Sequence, residues 1–269
     1  MSLRPSPLGA RAPLGGARFE NIENLVVFDV VTSTNDVARA FVESLLADDS
    51  EILVTVVSAR VQTEGRGRSG RTWLTFPGDA LAVSLVTPWP EGPERVRVPM
   101  LRGLALARGL SSRYGLDVRL KWPNDLVVGG LKLGGLLVEA RVSGEEGYAI
   151  TGIGINVGAT RAELDAQGLP GATSLAECGV DPARLRGEVP LLVLLEILDE
   201  ALGEEDVDIP AAFAELGAHR EGDLLEVRDG EKGEKKTGRF LGVTADGFLR
   251  LETGDGVETI LSGDAIQLG

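Results

Sequence analysis

Between Val118 and Asn156 the chain carries four β-like segments, Val118–Lys121, Leu126–Val128, Leu136–Val142 and Tyr148–Asn156, separated by only a few turn residues and glycines. Connections this short can reverse a strand, whereas a parallel neighbour needs a crossover of a dozen residues or more. These segments therefore pair antiparallel, and a purely parallel doubly wound sheet is excluded. Upstream, Leu25–Val31, Ile52–Ala59 and Ala80–Val86 read as three more strands. The first runs into Thr32-Ser33-Thr34, a helix-cap signal, and Asn35 and Asp36 suit the positive end of the helix that follows. Val37, Phe41 and Leu45 recur every four residues there and predict its apolar stripe. Helical patterns are also expected over Glu94–Tyr114, stopping near Gly115, and over Thr173–Glu177, Val189–Leu202 and Ile209–Leu216.

After His219 the texture changes to short strands with glycine turns: Leu224–Arg228, Lys236–Leu241, Gly247–Leu251 and Val257–Leu261. A small closed barrel is their natural arrangement. The expected fold is α/β of the α+β kind, a mixed, largely antiparallel sheet flanked by helices, plus this small C-terminal β-barrel. Domain boundaries are expected at 1–18 for a disordered proline- and glycine-rich tail, 19–218 for the main domain and 219–269 for the barrel.

A net charge of −14 argues against general nucleic-acid binding, since phosphates would be repelled. One cysteine, Cys178, and one histidine, His219, exclude an internal disulfide and a zinc cluster. Cys178 is expected at a helix end as a packing residue. No apolar run reaches the roughly 18 residues that span a bilayer, and Met1–Ala17 lacks the apolar core of a signal peptide. A cytoplasmic protein without membrane contact is expected.

Against that acidic background the stretch Gln62-Thr-Glu-Gly-Arg-Gly-Arg-Ser-Gly-Arg-Thr-Trp73 sets Arg66, Arg68 and Arg71 among Gly65, Gly67 and Gly70. Arginine forks suit carboxylate or phosphate, and glycine allows close backbone approach. The pattern is not a dinucleotide fingerprint. That motif opens a helix at once, whereas Pro77 and Gly78 follow here, with a strand after them. The loop is expected to bind its anion between two strands. Three further polar or glycine-marked clusters lie at strand ends: Ser33-Thr34-Asn35, Lys121-Trp-Pro-Asn-Asp125 with Lys132-Leu-Gly-Gly135, and Gly152-Ile-Gly-Ile-Asn156. Each alone could be a cap, a turn, a hairpin lysine or a thinned strand.

In their order and spacing, these motifs resemble the biotin protein ligase family, from about Val30 to Val157, and the C-terminal strands fit that family's SH3-like domain. The resemblance implies a class II synthetase-like catalytic domain. It implies formation of biotinyl-5′-adenylate from biotin and ATP, with Mg2+ accompanying the ATP, and transfer to a lysine of a biotin carboxyl carrier protein. Catalytic roles fall on Lys132, Arg66 and Arg68. Biotin binding falls on Ser33, Thr34, Asn35, Gln62, Gly65, Arg66, Gly67, Arg68, Lys132 and Gly135, with Gly152 and Gly154 letting the ring lie against bare main chain. The adenylate would meet Arg66, Arg68, Arg71, Trp73, Asn124, Asp125, Lys132 and Asn156. Asp125 could hold magnesium, the incoming lysine or a turn, and the role of Glu139 stays open. No metal site made by the protein alone is expected.

Repressor-type relatives place a winged helix-turn-helix before the catalytic domain, and here a glycine-proline tail precedes Phe19, so DNA binding is not expected. Glu64 could pair with Arg66 or Arg68. A homodimer could form by pairing an exposed edge such as Tyr148–Ile155 across a two-fold axis. Two rivals are a lipoate or octanoate ligase, whose Arg-Arg-x-x-Gly-Gly-Gly loop is missing, and a noncatalytic biotin-sensing module, which would have no use for Lys132.

Overall fold

The computed structural model describes residues 18–73, 75, 80–89, 92–143, 146–228 and 235–268. Residues 1–17 of the expected tail lie outside these residues, as do Pro77 and Gly78. In chain order the elements are β1 (Asn24–Val31), α1 (Thr34–Ala47), β2 (Thr55–Gln62), β3 (Ala80–Pro88), α2 (Val98–Tyr114), β4 (Arg119–Lys121), β5 (Asp125–Val128), β6 (Leu131–Ser143), β7 (Glu146–Asn156), α3 (Arg161–Ala166), α4 (Val189–Leu202), α5 (Ile209–Leu216), β8 (Leu224–Arg228), β9 (Lys235–Val243), β10 (Leu249–Thr253), β11 (Gly256–Ile260) and β12 (Asp264–Gln267).

The chain divides into two compact units, one made of Met1–Pro90 with Leu133–Gly203, the other of Glu91–Lys132 with Glu204–Gly269. In the first, strands follow the order β1-β2-β3-β7-β6. Only β1 and β2 are parallel, and α1 is the crossover that such a pair requires. The helix packs on β2, β3 and β7, but its buried face is Thr34, Asn35, Ala38 and Val42. The stripe expected from Val37, Phe41 and Leu45 is therefore rotated, and Phe41 is exposed. Small side chains at Ala38 and Val42 let the helix approach Val57, Val86 and Ile150 closely. Polar Thr34 and Asn35 can share that face because the sheet supplies hydrogen-bond partners for them.

Strand β7 runs between β3 and β6, paired on both sides. Dimerisation through an edge at Tyr148–Ile155 is thus ruled out, since its backbone groups are already used. The helix expected over Thr173–Glu177 is a turn. The Thr173 carbonyl, which a helix would offer to Glu177, instead accepts from Asn156 Nδ2 at 2.9 Å, and Glu177 N–H donates to Ser174 Oγ at 3.1 Å. Cys178 accordingly closes a turn, its Sγ 3.6 Å from Thr173 Oγ1. One short helix, α3, had not been expected; Thr160 and Glu163 form a capping box at its start. The chain enters β1 under tight control: the Asp199 carboxylate accepts from the backbone N–H groups of Glu20, Asn21 and Ile22 at 2.7–2.9 Å.

In the second unit α2 packs against α5 and β4, and β4 and β5 form a hairpin about Trp122, Pro123 and Asn124, with a cis bond before the proline. Trp122 is buried and donates its Nε1–H to the Gly247 carbonyl at 3.0 Å. The remaining strands form an antiparallel sheet in the order β11-β10-β9-β8-β12. Its β12 had no counterpart among the expected strands, and no pairing of β11 with β12 closes it among the described residues. No helix of the described residues is long and apolar enough to cross a membrane.

His219 is buried beside Phe240, ring centroids 5.8 Å apart, with neither ring nitrogen hydrogen-bonded. Burial, helped by Lys121 and opposed by Asp223, lowers its pKa from 6.5 to about 4. Above pH 6.5 the ring is neutral folded and unfolded, so its contribution is intact. As pH falls from 6.5 towards 4 only the unfolded chain gains the proton, and stability is lost, by up to about 3 kcal/mol. His219→Phe should keep the pH 7 stability and lose that much less between pH 6.5 and 4, measured by urea unfolding. An unchanged acid limb would show that His219 does not set it.

Candidate functional site

The polar N-terminus of α1 organises one cluster in the first unit. Ser33 occupies the N-cap position with extended backbone, yet its hydroxyl makes no cap bond. Thr34 donates its backbone N–H to Gln62 Oε1 at 2.8 Å and its hydroxyl to the same oxygen at 3.1 Å. That turns the Gln62 amide so that Nε2 points away from the helix, 3.5 Å from Thr75 Oγ1. Ser84 Oγ, from β3, lies 2.7 Å from Thr34 Oγ1 and 2.6 Å from Asn35 Oδ1, one hydroxyl proton serving two acceptors. Asn35 Nδ2 donates to Glu139 Oε2 at 2.7 Å, and Arg39 reaches the same carboxylate at 3.0 and 3.1 Å. Ser84 and Glu139 were not expected to hold site residues in place; a serine in the apolar run Ala80–Val86 was the available signal.

The arginine loop closes as a narrow hairpin. Gly67 N–H donates to the Arg71 carbonyl at 2.7 Å and Trp73 N–H to the Gly65 carbonyl at 2.8 Å, with Arg66 bridged to Thr72. Ser69 and Gly70 turn the tip with positive φ, and Arg71 Nε donates to the Arg68 carbonyl at 3.4 Å. Arg66 does not pair with Glu64. Its two terminal nitrogens grip Asp36 Oδ2 and Oδ1 at 2.7 and 2.5 Å, because the first turn of α1 faces the loop and offers a bidentate carboxylate. Arg66, with Arg39, holds the Asp36 carboxyl below its usual range, against the opposing effect of burial.

The site glycines make room for the protein's own side chains. A Cβ on Gly152 would stand 2.5 Å from Asn35 Oδ1, one on Gly154 2.3 Å from the Trp73 ring, and one on Gly65 2.4 Å from the Trp73 carbonyl. The main chain at Gly152 and Gly154, expected to stay bare for a ligand ring, is thus covered by Asn35 and Trp73. The Trp73 Nε1–H is buried there with no hydrogen-bond partner. Asn156, at the end of β7, donates its Nδ2 to the Thr173 carbonyl of the 173–177 turn.

A second cluster belongs to the other unit. Lys132 Nζ lies 2.6 Å from Asp125 Oδ1, a pair made by the β5 and β6 residues that flank the Gly129-Gly130 turn. Asn124 lies in the hairpin loop before Asp125. Lys132 shares β6 with Gly135, three residues on.

These features coincide with similarity to known proteins. The model of the biotin/lipoate A/B protein ligase family matches residues 27–156, and that of the biotin protein ligase C-terminal domain matches residues 226–266. The chain belongs to the biotin protein ligase family. A bifunctional ligase/repressor BirA of Bacillus spizizenii is 28% identical over 254 residues, 92% of this chain and 74% of that protein. A biotin--[acetyl-CoA-carboxylase] ligase of Mycobacterium tuberculosis is 32% identical over 163 residues, 56% of each. The solved biotin protein ligase of Aquifex aeolicus in complex with biotin and ATP superposes with a TM-score of 0.69 at 26% identity, covering 92% of this chain and 99% of that one. The first family match spans every residue of the α1 cluster and of the arginine loop, and the second spans most of β8 to β12 of this biotin ligase family member.

The glycine geometry is testable. Gly154→Ala should force the Trp73 indole out of its seat and cost about 1–3 kcal/mol, the usual range for overpacking. Denaturant unfolding would measure it. Wild-type stability in this variant would mean that the indole does not pack on Gly154.

Proposed function

We propose that the chain is an ATP-dependent biotin ligase, acting in the cytoplasm, that makes biotinyl-5′-AMP and transfers the biotinyl group to one lysine of a biotin carboxyl carrier protein. The observation that carries the reading is the coincidence, within the family match, of a fixed lattice of neutral donors and acceptors with an arginine loop. A ureido ring has one carbonyl and two N–H groups and needs such a lattice; a carboxylate meeting a triphosphate needs cations. The C-terminal match favours biotin over lipoate.

In the first step a biotin carboxylate oxygen attacks the α-phosphorus and the bond to the β-phosphate oxygen breaks, releasing pyrophosphate. Two anions must approach, so Lys132, Arg66 and Arg68 are assigned to cancel their repulsion, with Arg71 assisting. Asp125 is assigned to hold the Lys132 ammonium in position, as their 2.6 Å contact permits. Ser33, Thr34, Asn35 and Gln62, together with backbone at Gly65, Gly67 and Gly135, are assigned to the biotin head. Gly152 and Gly154 serve by admitting Asn35 and Trp73. Trp73, Asn124 and Asn156 are assigned to the nucleotide end. In the second step the carrier lysine amine attacks the anhydride carbonyl, loses a proton and expels AMP.

Magnesium would neutralise the ATP phosphates. The described residues form no group of three or more His, Cys, Asp or Glu side chains able to hold it alone, and Asp125 is already paired, so the ion is assigned to the ATP. The boundary between catalytic and C-terminal domains is placed at 218/219. A homodimer would have to use a surface other than β7.

Two measurements test the reading. Incubation with ATP, magnesium, biotin and a carrier domain should add one biotinyl mass to a single carrier lysine; lipoate in place of biotin should be a very poor substrate, because buried polar groups would be left unpaired. Comparable use of both would favour the lipoate class. Lys132→Ala should slow biotin-dependent pyrophosphate exchange by about a hundredfold or more, about 3 kcal/mol of transition-state stabilisation, while biotin binding weakens far less. Exchange at the wild-type rate would remove Lys132 from its role.

A further inference from the structure

We propose that Asp36 is a positioning residue that competes with the ligand's anion for Arg66, so that binding proceeds by exchange of one carboxylate for another. The proposal rests on the biotin ligase reading above and extends it to a residue outside the motifs. Asp36 presents both carboxylate oxygens to both terminal nitrogens of Arg66, at 2.5 and 2.7 Å. A guanidinium fork held in this way has its paired donors aimed at a carboxylate, the same chemical group that biotin carries. The contact is open to exchange, with side chains 40% and 30% exposed.

Asp36 is itself held. Arg39 donates to its Oδ1 at 2.8 Å and to Glu139 at 3.0 Å, so the carboxylate is tied through Arg39 to β6. Glu139 also receives Asn35 Nδ2, which fixes the amide whose Oδ1 faces Ser84. The anion end and the neutral head of the site therefore share one support. Asp36 keeps the Arg66 fork oriented on the first turn of α1 and gives it up to a ligand bearing its own negative group. A neutral ligand offers nothing in exchange.

The experiment compares biotin with its neutral carboxamide, titrated calorimetrically against the full chain. Asp36→Asn removes the competing charge and keeps the side-chain shape. It should bind biotin about two- to fivefold more tightly, the range for losing a partly exposed competing pair. Biotin carboxamide should bind both proteins equally. Asp36→Glu should restore the wild-type ratio of the two affinities, and adding Arg66→Gln should abolish the gain seen in Asp36→Asn. Asp36→Ser supplies a second uncharged side chain if the asparagine variant does not fold. An unchanged ratio of biotin to carboxamide affinity in both neutral variants would overturn the proposal, as would selective weakening of biotin. Wild-type protein that binds neither compound would instead overturn the biotin reading itself, and the proposal with it.

Discussion

The Asn35 side-chain amide is the point on which the first unit's chemistry turns. Its oxygen meets Ser84 of β3, its nitrogen meets Glu139 of β6, and its flank fills the space that Gly152 of β7 leaves open. A buried amide in a helix face is unfavourable unless its groups find partners, and here β3 takes the oxygen and β6 the nitrogen, while β7 leaves the room. Once that amide is oriented, Ser84 is oriented, then Thr34, and through Thr34 the Gln62 amide. The helix N-terminus is thereby locked to the sheet by polar contacts while Ala38 and Val42 supply the apolar packing beside them. Stability and site geometry come from the same few atoms.

The glycines follow the same logic. In a site built from backbone and small side chains, a missing Cβ usually signals that something lies close, but the sequence does not say what. Gly152 and Gly154 looked like room for a ligand and instead admit Asn35 and Trp73. Their value to a ligand is indirect. They let the protein's own groups settle to a depth at which those groups form the walls.

Much of this architecture was legible. Short turns dictated antiparallel pairing for β4 to β7, and the bounds of α4, α5 and β8 fall where periodicity and turn residues placed them. The motifs around Thr34, Gln62 and Lys132 marked the residues that the structure gathers in its two clusters. What escaped depended on long-range partners. The pairing of Arg66 with Asp36, thirty positions away, is invisible to a local reading that finds Glu64 two residues off. The 173–177 segment starts as a turn where Asn156, at a distant strand end, takes the Thr173 carbonyl. The burial of β7 on both sides depends on strand order, which spacing alone does not set, and α3 is too short to show a period.

The lattice from Glu139 through Asn35, Ser84 and Thr34 to Gln62 is proposed to hold in place the groups assigned to biotin. Ser84→Ala removes one hydroxyl from its middle and touches nothing else in the assigned site. The most direct measurement is biotin affinity of this variant by calorimetry, set against its unfolding free energy. Affinity should fall about tenfold or more, while stability should fall by about 1–3 kcal/mol, the cost of leaving a buried acceptor such as Asn35 Oδ1 without its donor. Wild-type affinity in a folded Ser84→Ala protein would contradict it.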